Sequence, residues 1–575
     1  MNVMLGQLAE EKHSGDSKLS EELLLITDRQ IYFTGEQVWL KIYKMNSISS
    51  APSDISRIVY VELLDESNNP VTQMKVWIDD FSGSCCFRLP DTLKSDNYLI
   101  RAYTRWMQNY SVYDFLYKTI SVINPFRDIS SIVPPAGSQS KDTGLPQTAT
   151  TMSAGDSTAG KDRNRLNIRI SVDRQKFSTR EGVKINVLAA DASGKPVQTD
   201  LLVSVAKSFL ADTTGRFAFE SRRENILKPG SRDISLPEPE GEIIRGVIRN
   251  KATDEPLRNT VISLAFVGKN ARCQFERTDD NGDFIFAAGQ IYGFNEMVIQ
   301  PMEHDEAGSY AELDQPFCNT FADLKPSDFY IDSSRIENIN KAIISMQFNN
   351  QYEPFRQKIK ESTDSVVMSN FFGVPSRRLL MKDFIELTDL REIIKELLPQ
   401  VYVERKDKIP ELKIFSNNSY ESFQNPALVL ADGIPVYDIE GLLKIKGGDI
   451  ERIDIVDSKY YYHSCIFDGI VSIITKKGNL SSMDYDASVY RRVFEGSQSK
   501  VPFYSPDYSG KTEKESRIPD FRNTLYWNPD VRSDEKGNAS VHFFTSDEKG
   551  EYIITVKGMN SEGICGSAVS KLEVE

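Results

Sequence analysis

One stretch of this chain occurs twice. Residues 27–46 read TDRQIYFTGEQVWLKIYKMN, and residues 172–191 read VDRQKFSTREGVKINVLAAD. Each copy has Asp-Arg-Gln, an aromatic, a turn, a glutamate and then an alternating apolar strand. A repeat at this level predicts tandem copies of one β-unit, because each copy must bury its strand faces in the same way. Around both copies run short β-type segments separated by turn residues, among them RIVYVELLD, VTQMKVWID, SCCFRLP and NYLIRAYTRWM. Such spacing predicts β-sandwiches of roughly 100 residues.

The 575 residues exceed what one hydrophobic core supports, so several domains are expected. We expect a flexible polar tail at 1–22, a sandwich at 23–126, and a Pro/Gly/Ser/Thr-rich flexible linker or loop at 127–163. A second sandwich is expected at 164–235 and a third at 240–311. In the third, Asn281-Gly282 signals a hairpin; the run DDNGD lacks the closing glutamate of a calcium loop. An irregular, partly helical connection is expected at 312–379. A small α+β domain is expected at 380–480, with a helix in LTDLREIIKELLPQ. Thr388 or Asp389 caps that helix, and Leu390, Ile393, Ile394 and Leu397 form its apolar face. A C-terminal β-domain is expected at 500–575. The fold class is thus mainly β, with tandem sandwiches and one α+β domain.

A net charge of −14 disfavours nucleic acid, which selects basic surfaces. No apolar run approaches the ~18 residues of a membrane helix, and no export signal is visible at the N-terminus. The six cysteines form no CxxC pair, and free, mostly buried thiols are expected. Cys85 and Cys86 lie on opposite faces if they occupy a strand. The histidines are His13, His304, His463 and His542; none belongs to a catalytic pattern. GxSxG, HExxH and phosphate-loop motifs are absent. No catalytic residue, metal ligand or cofactor site is assigned, and no enzyme is expected. Trp39, Trp77, Trp106 and Trp527 are candidate sugar platforms, but the first three lie in the first sandwich within alternating apolar strands, which favours packing over sugar stacking. Tyr460, Tyr461, Tyr462, Tyr504 and Tyr508 are candidate partner contacts, because tyrosine suits interfaces.

Three resemblances follow from these motifs. TDRQIYFTGEQVWLKIY, YVELLD and NYLIRAYTRWM resemble a macroglobulin-like domain (MG2-type), and the C-terminal TLYWNPDVRSDEKGNASVHFF resembles a later one. Residues 241–290 resemble a carboxypeptidase regulatory-like domain, a prealbumin-like sandwich. LVLADGIPV, GDIERIDIV and DGIVSIITKKG, within 380–480, resemble the plug domain of TonB-dependent receptors. In this order they resemble a family of envelope proteins from Bacteroidetes. That resemblance implies a place in the periplasm or at the outer membrane and an envelope protein as partner, with a glycan or peptide as alternative ligand. A receptor barrel of roughly 22 strands, each of about 10 residues, does not fit in residues 479–575, so the plug-like domain is expected to dock rather than gate. The thioester glutamine of macroglobulins is missing from GICGSAV around Cys565, which argues against covalent trapping.

Overall fold

The repeated motif opens two sandwiches that match strand for strand. The computed structural model describes residues 20–49, 51–127, 165–212, 234–302, 308–331, 333–356, 370–406, 408–416, 421–463, 465–479, 481 and 489–575. Most of the expected 1–22 tail, nearly all of the 127–163 linker, and His13 and His304 lie outside these residues. Glu21 and Leu23 already belong to the first strand, so the tail ends before residue 22.

The first sandwich has eight strands: Glu21–Thr27, Ile31–Phe33, Gln37–Asn46, Ile58–Leu64, Pro70–Trp77, Ser82–Arg88, Asp96–Tyr103 and Leu116–Ile123. One sheet has the order 1-3-6 and the other 2-8-7-4-5. The second sandwich uses Asn167–Val172, Lys176–Phe177, Gly182–Ala190 and Asp200–Lys207, then Thr524–Arg532, Asn538–Phe544, Gly550–Met559 and Cys565–Val574. Its sheets have the same order. In both, the short second strand runs parallel to the last one. The five-residue turn between strands four and five of the first copy, Asp65–Asn69, is replaced in the second by residues 208–523.

The two sandwiches expected at 164–235 and 500–575 are therefore halves of one. Gly182–Ala190 pairs with Asn538–Phe544, and Asp200–Lys207 lies between Thr524–Arg532 and Gly550–Met559. Val183, Ile185 and Val203 share a core with Val541, Phe543 and Ile554. Neither half could bury its apolar faces alone, which is why they combine.

The motif itself explains the repeat. Asp28 is fully buried and accepts from Tyr32 Oη (2.7 Å), Trp39 N (3.1 Å), Arg29 Nε (3.1 Å) and Thr524 Oγ1 (2.8 Å). Arg29 pairs with Glu36, which also accepts the N–H of Phe33 (2.9 Å). In the second copy Arg174 pairs with Glu181, which accepts the N–H of Ser178 (2.7 Å). The arginine lies over the intervening ring in both, Tyr32 at 4.7 Å and Phe177 at 5.1 Å. The glutamate thus ties the turn, and the arginine ties the glutamate to the strand.

These sandwiches form one compact unit with residues 317–362 and 497–575. The stretch expected to be an irregular connection splits in two. Its first part crosses the five-stranded sheet of the first sandwich, where Arg101 donates to Glu62 (2.7 Å) and to the carbonyls of Thr320 (2.8 Å) and Cys318 (2.7 Å). A helix, Ile336–Arg356, follows; Ile339, Ala342 and Met346 pack with Ile31, Phe33 and Leu210. Cys85 points into the first sandwich and Cys86 away from it, into a cluster with Trp39, Leu202 and Trp527.

The second compact unit comprises residues 242–316 and 363–496. Its sandwich has the sheets Asp283–Ala287, Ile243–Asn250, Ser309–Leu313 and Arg272–Arg277, Val261–Phe266, Phe294–Pro301, Tyr490–Glu495. The sandwich expected at 240–311 thus takes its last strand from beyond the α+β domain. The hairpin expected at Asn281-Gly282 is instead a turn between the two sheets, since Arg272–Arg277 and Asp283–Ala287 pair with different strands; only Gly282 takes a positive φ (81°), while Asp279 Oδ1 accepts the N–H groups of Asn281 (2.8 Å) and Asp283 (2.9 Å). The α+β domain has a mixed sheet, ordered Arg377–Leu380, Ile450–Val456, Ile470–Thr475, Leu428–Ala431, Ile434–Pro435. Asp432 and Gly433 both take positive φ (45° and 86°), as a two-residue hairpin turn requires. Buried Asp432 accepts the N–H and hydroxyl of Thr475 (2.7 Å each). The helix Leu390–Leu397 is capped by Asp389, whose Oδ1 accepts the Glu392 N–H at 3.0 Å. Residues 489–575 are thus used largely by two sandwiches. Among the described residues, no helix is long and apolar enough to cross a membrane.

Candidate interaction surface

The tyrosine run lies on a hairpin of the α+β domain, Tyr460–Tyr462 paired with Cys465–Phe467. Alternation along the strand sends its side chains to opposite faces. Tyr460 and Tyr462 are half-buried. The Tyr460 hydroxyl donates to the Phe371 carbonyl (2.7 Å), and its ring meets Phe371 edge-on at 5.7 Å. Tyr462 packs edge-on against Phe275 (5.5 Å) and Phe371 (6.1 Å), and burial pushes its hydroxyl pKa up to about 12. Tyr461 points the other way and is 68% exposed. Its cross-strand partner Ile466 is 62% exposed.

The result is an apolar pair on a braced support. Phe467, on the hairpin's second strand opposite Tyr460, also packs on Phe275 at 4.8 Å. Polar and charged groups lie at the hairpin's margin: His463 Nδ1 is 3.5 Å from Glu276, and Lys459 is 3.7 Å from Asp468. His463, at positive φ (48°), makes the hairpin bend. A braced aromatic with an aliphatic neighbour loses little conformational freedom on contact with a partner.

The other candidate tyrosines separate. Tyr504 is 39% exposed. Tyr508 is buried, donates to Asp520 (2.9 Å) and packs edge-on against Phe544 at 5.9 Å, so it is not available to a partner. Tyr508 and the hairpin belong to different compact units. Ile466 escaped the sequence reading, though alternation beside Tyr461 marks it. Phe294 and Val493 escaped it too. They are exposed on the adjoining strands Phe294–Pro301 and Tyr490–Glu495, whose pairing spans about two hundred residues of sequence.

A shallow cavity of about 360 Å³ also lies on the α+β domain, lined by Leu380, Lys382, Phe384, Glu386, Glu451 and Lys476 among others. It mixes both charge signs with apolar surface, and no nucleophile–base pair is placed in it. His542 packs edge-on against Phe544 at 4.9 Å. Among the described residues, no group of three or more His, Cys, Asp or Glu could hold a metal ion. Trp39, Trp106 and Trp527 are buried. Trp77 is half-buried, with its indole N–H on Asp79 at 2.8 Å.

No family model matches this sequence, and no curated protein matches it. Among solved structures, similarity extends to a Salmonella α2-macroglobulin reacted with methylamine, at 9% identity and TM-score 0.24, over 97% of this chain and 40% of that one. The native E. coli α2-macroglobulin gives 10% identity and TM-score 0.25, over 98% and 40%. The Yersinia pseudotuberculosis adhesin InvE gives 9% identity and TM-score 0.14, over 52% of this chain and 60% of the adhesin. The similarity is distant, and this chain spans about 40% of the length of the two α2-macroglobulins.

Proposed function

We propose that the chain is a non-enzymatic cell-envelope protein. It acts as an outer-membrane-associated binding or adaptor module, docking to a partner protein through sandwich edges or the α+β domain. The observation that carries this reading is the outward pair Tyr461 and Ile466 on a hairpin whose opposite face is anchored. An exposed aromatic–aliphatic pair with a charged rim has the makeup of a small binding patch. The envelope location rests on the sequence resemblance. A glycan-binding accessory role would favour exposed aromatic platforms, and three of the four tryptophans are buried.

Crosslinking in intact cells followed by mass spectrometry tests the proposal. The expected result is an envelope partner crosslinked near residues 459–467, with its yield reduced at least fivefold in the Tyr461→Ala/Ile466→Ser double variant. Recovery of the wild-type chain only as a free monomer would overturn it.

A further inference from the structure

Residue 180 breaks the repeat. In the first sandwich the residue before the turn glutamate is Gly35, at φ 81°. Its counterpart is Arg180, at φ 52°, in the left-handed region that side chains other than Gly, Asn and Asp rarely adopt. All five of its N–H donors are used. Nε and Nη2 grip the two oxygens of Asp547, at 2.7 Å each. Nη1 donates to the carbonyls of Lys514 (3.0 Å) and Ser516 (2.6 Å), and Nη2 donates to that of Ile518 (2.8 Å). The guanidinium also lies 5.1 Å from the Tyr508 ring centre.

The three carbonyls belong to residues 497–523, the end of the long insertion. The first sandwich has no such segment and keeps glycine. Among the described residues, every hydrogen bond from 509–518 to the second sandwich is made by Arg180. The strained backbone is therefore explained by what the side chain holds.

The other end of this segment covers a sheet edge. Ser82–Arg88 is the edge strand of the first sandwich's three-stranded sheet. The Cys86 N–H donates to Gln498 Oε1 (3.1 Å), and Gln498 Nε2 donates back to the Cys86 carbonyl. The Gln498 N–H donates to the carbonyl of Lys75 (2.8 Å), on the edge strand of the other sheet. A carboxamide has the donor and acceptor of one peptide group. Gln498 thus gives Cys86 the pair of bonds that a neighbouring strand would give.

We propose that residues 497–520 are a releasable strap, clasped by Arg180, over a strand-addition site on the first sandwich, and that the uncovered edge takes an extended peptide. This rests on the edge-docking part of the reading above and assigns it to one edge. Hydrogen exchange on the full chain tests it, read by mass spectrometry on the wild type, Arg180→Ala and Gln498→Ala. In Arg180→Ala, exchange should rise at least tenfold in both 508–520 and 82–88, with 58–64 unchanged. Gln498→Ala should accelerate 82–88 alone. A labelled peptide of residues 495–503 should bind Arg180→Ala at least tenfold more tightly than the wild type. If 58–64 also accelerates in Arg180→Ala, Arg180→Gly, which suits the left-handed backbone, replaces it with the same expectations. Unchanged exchange in 82–88 when the clasp is removed would overturn the proposal, as would equal or absent peptide binding to both proteins. A missing envelope partner in cells would leave this exchange pattern intact, so the two proposals fail separately.

Discussion

Asp28 and Asp173 occupy the same place in the repeat, yet their surroundings differ. Asp28 is buried with four donors, one of them from Thr524 in the other sandwich; Asp173 is exposed. Removing Asp28 strands several donors and leaves Arg29 half-compensated, so Asp28→Ala should destabilise by about 3–5 kcal/mol. Asp173→Ala should cost less than about 0.5 kcal/mol. Urea unfolding followed by tryptophan fluorescence checks the pair, and equal midpoint shifts would contradict this account. The sequence makes the repeat visible but not this asymmetry, because the partners of Asp28 come from distant segments. The same holds for the tyrosines. Tyr461 is legible as a surface residue from alternation, whereas Tyr508 is buried by Asp520, Phe544 and Arg180, none of which its neighbours announce. Burial also sets thiol reactivity. It pushes the Cys86 and Cys565 thiols up to about 12 and those of Cys85 and Cys273 well above the usual range. At pH 8 a thiol of pKa 12 is about 10⁻⁴ thiolate, so iodoacetamide should leave these four unmodified in the folded chain and label them only after denaturation. Peptide mapping reads the result.

At the scale of elements, the sequence was most informative where one segment satisfies its own needs. The helix Leu390–Leu397 shows this: Leu390, Ile393 and Ile394 are buried as the period requires, and Leu397 is half-buried at the rim. Asp389, one of two expected caps, takes the Glu392 N–H, and Glu392 returns a bond to the Thr388 N–H at 2.7 Å. This reciprocal arrangement should make Asp389→Ala cost about 1 kcal/mol, and Thr388→Ala far less because its backbone supplies the bond. Thermal melts of the two variants distinguish them. The turn at Asp432-Gly433 is local in the same way, since both residues take the positive φ of a tight hairpin. Strand partners were not legible. Tyr490–Glu495 pairs with Phe294–Pro301 across the whole α+β domain, and no local pattern encodes that choice.

For the whole molecule, the chain is nested rather than strung out. The second sandwich opens between its fourth and fifth strands to admit residues 208–523, and the third opens before its last strand to admit the α+β domain. Such insertions are tolerated because lengthening a loop costs only about 0.6 kcal/mol per doubling. Nesting changes which fragments can fold. Residues 242–496 contain both halves of the third sandwich and the α+β domain, whose core includes Phe275 and Val298 from that sandwich. Expressed alone, they should show a cooperative thermal transition and resist mild proteolysis. Residues 380–480 alone should do neither, since that core would be open where Phe275 and Val298 belong. Residues 497–575 alone should also fail, because Asn538–Phe544 and Thr524–Arg532 lack their partners Gly182–Ala190 and Asp200–Lys207. Supplying residues 165–212 as a separate polypeptide should restore protection to 524–575. Autonomous folding of 497–575 would instead favour the C-terminal domain expected from the strand pattern alone, and would contradict the split-sandwich account.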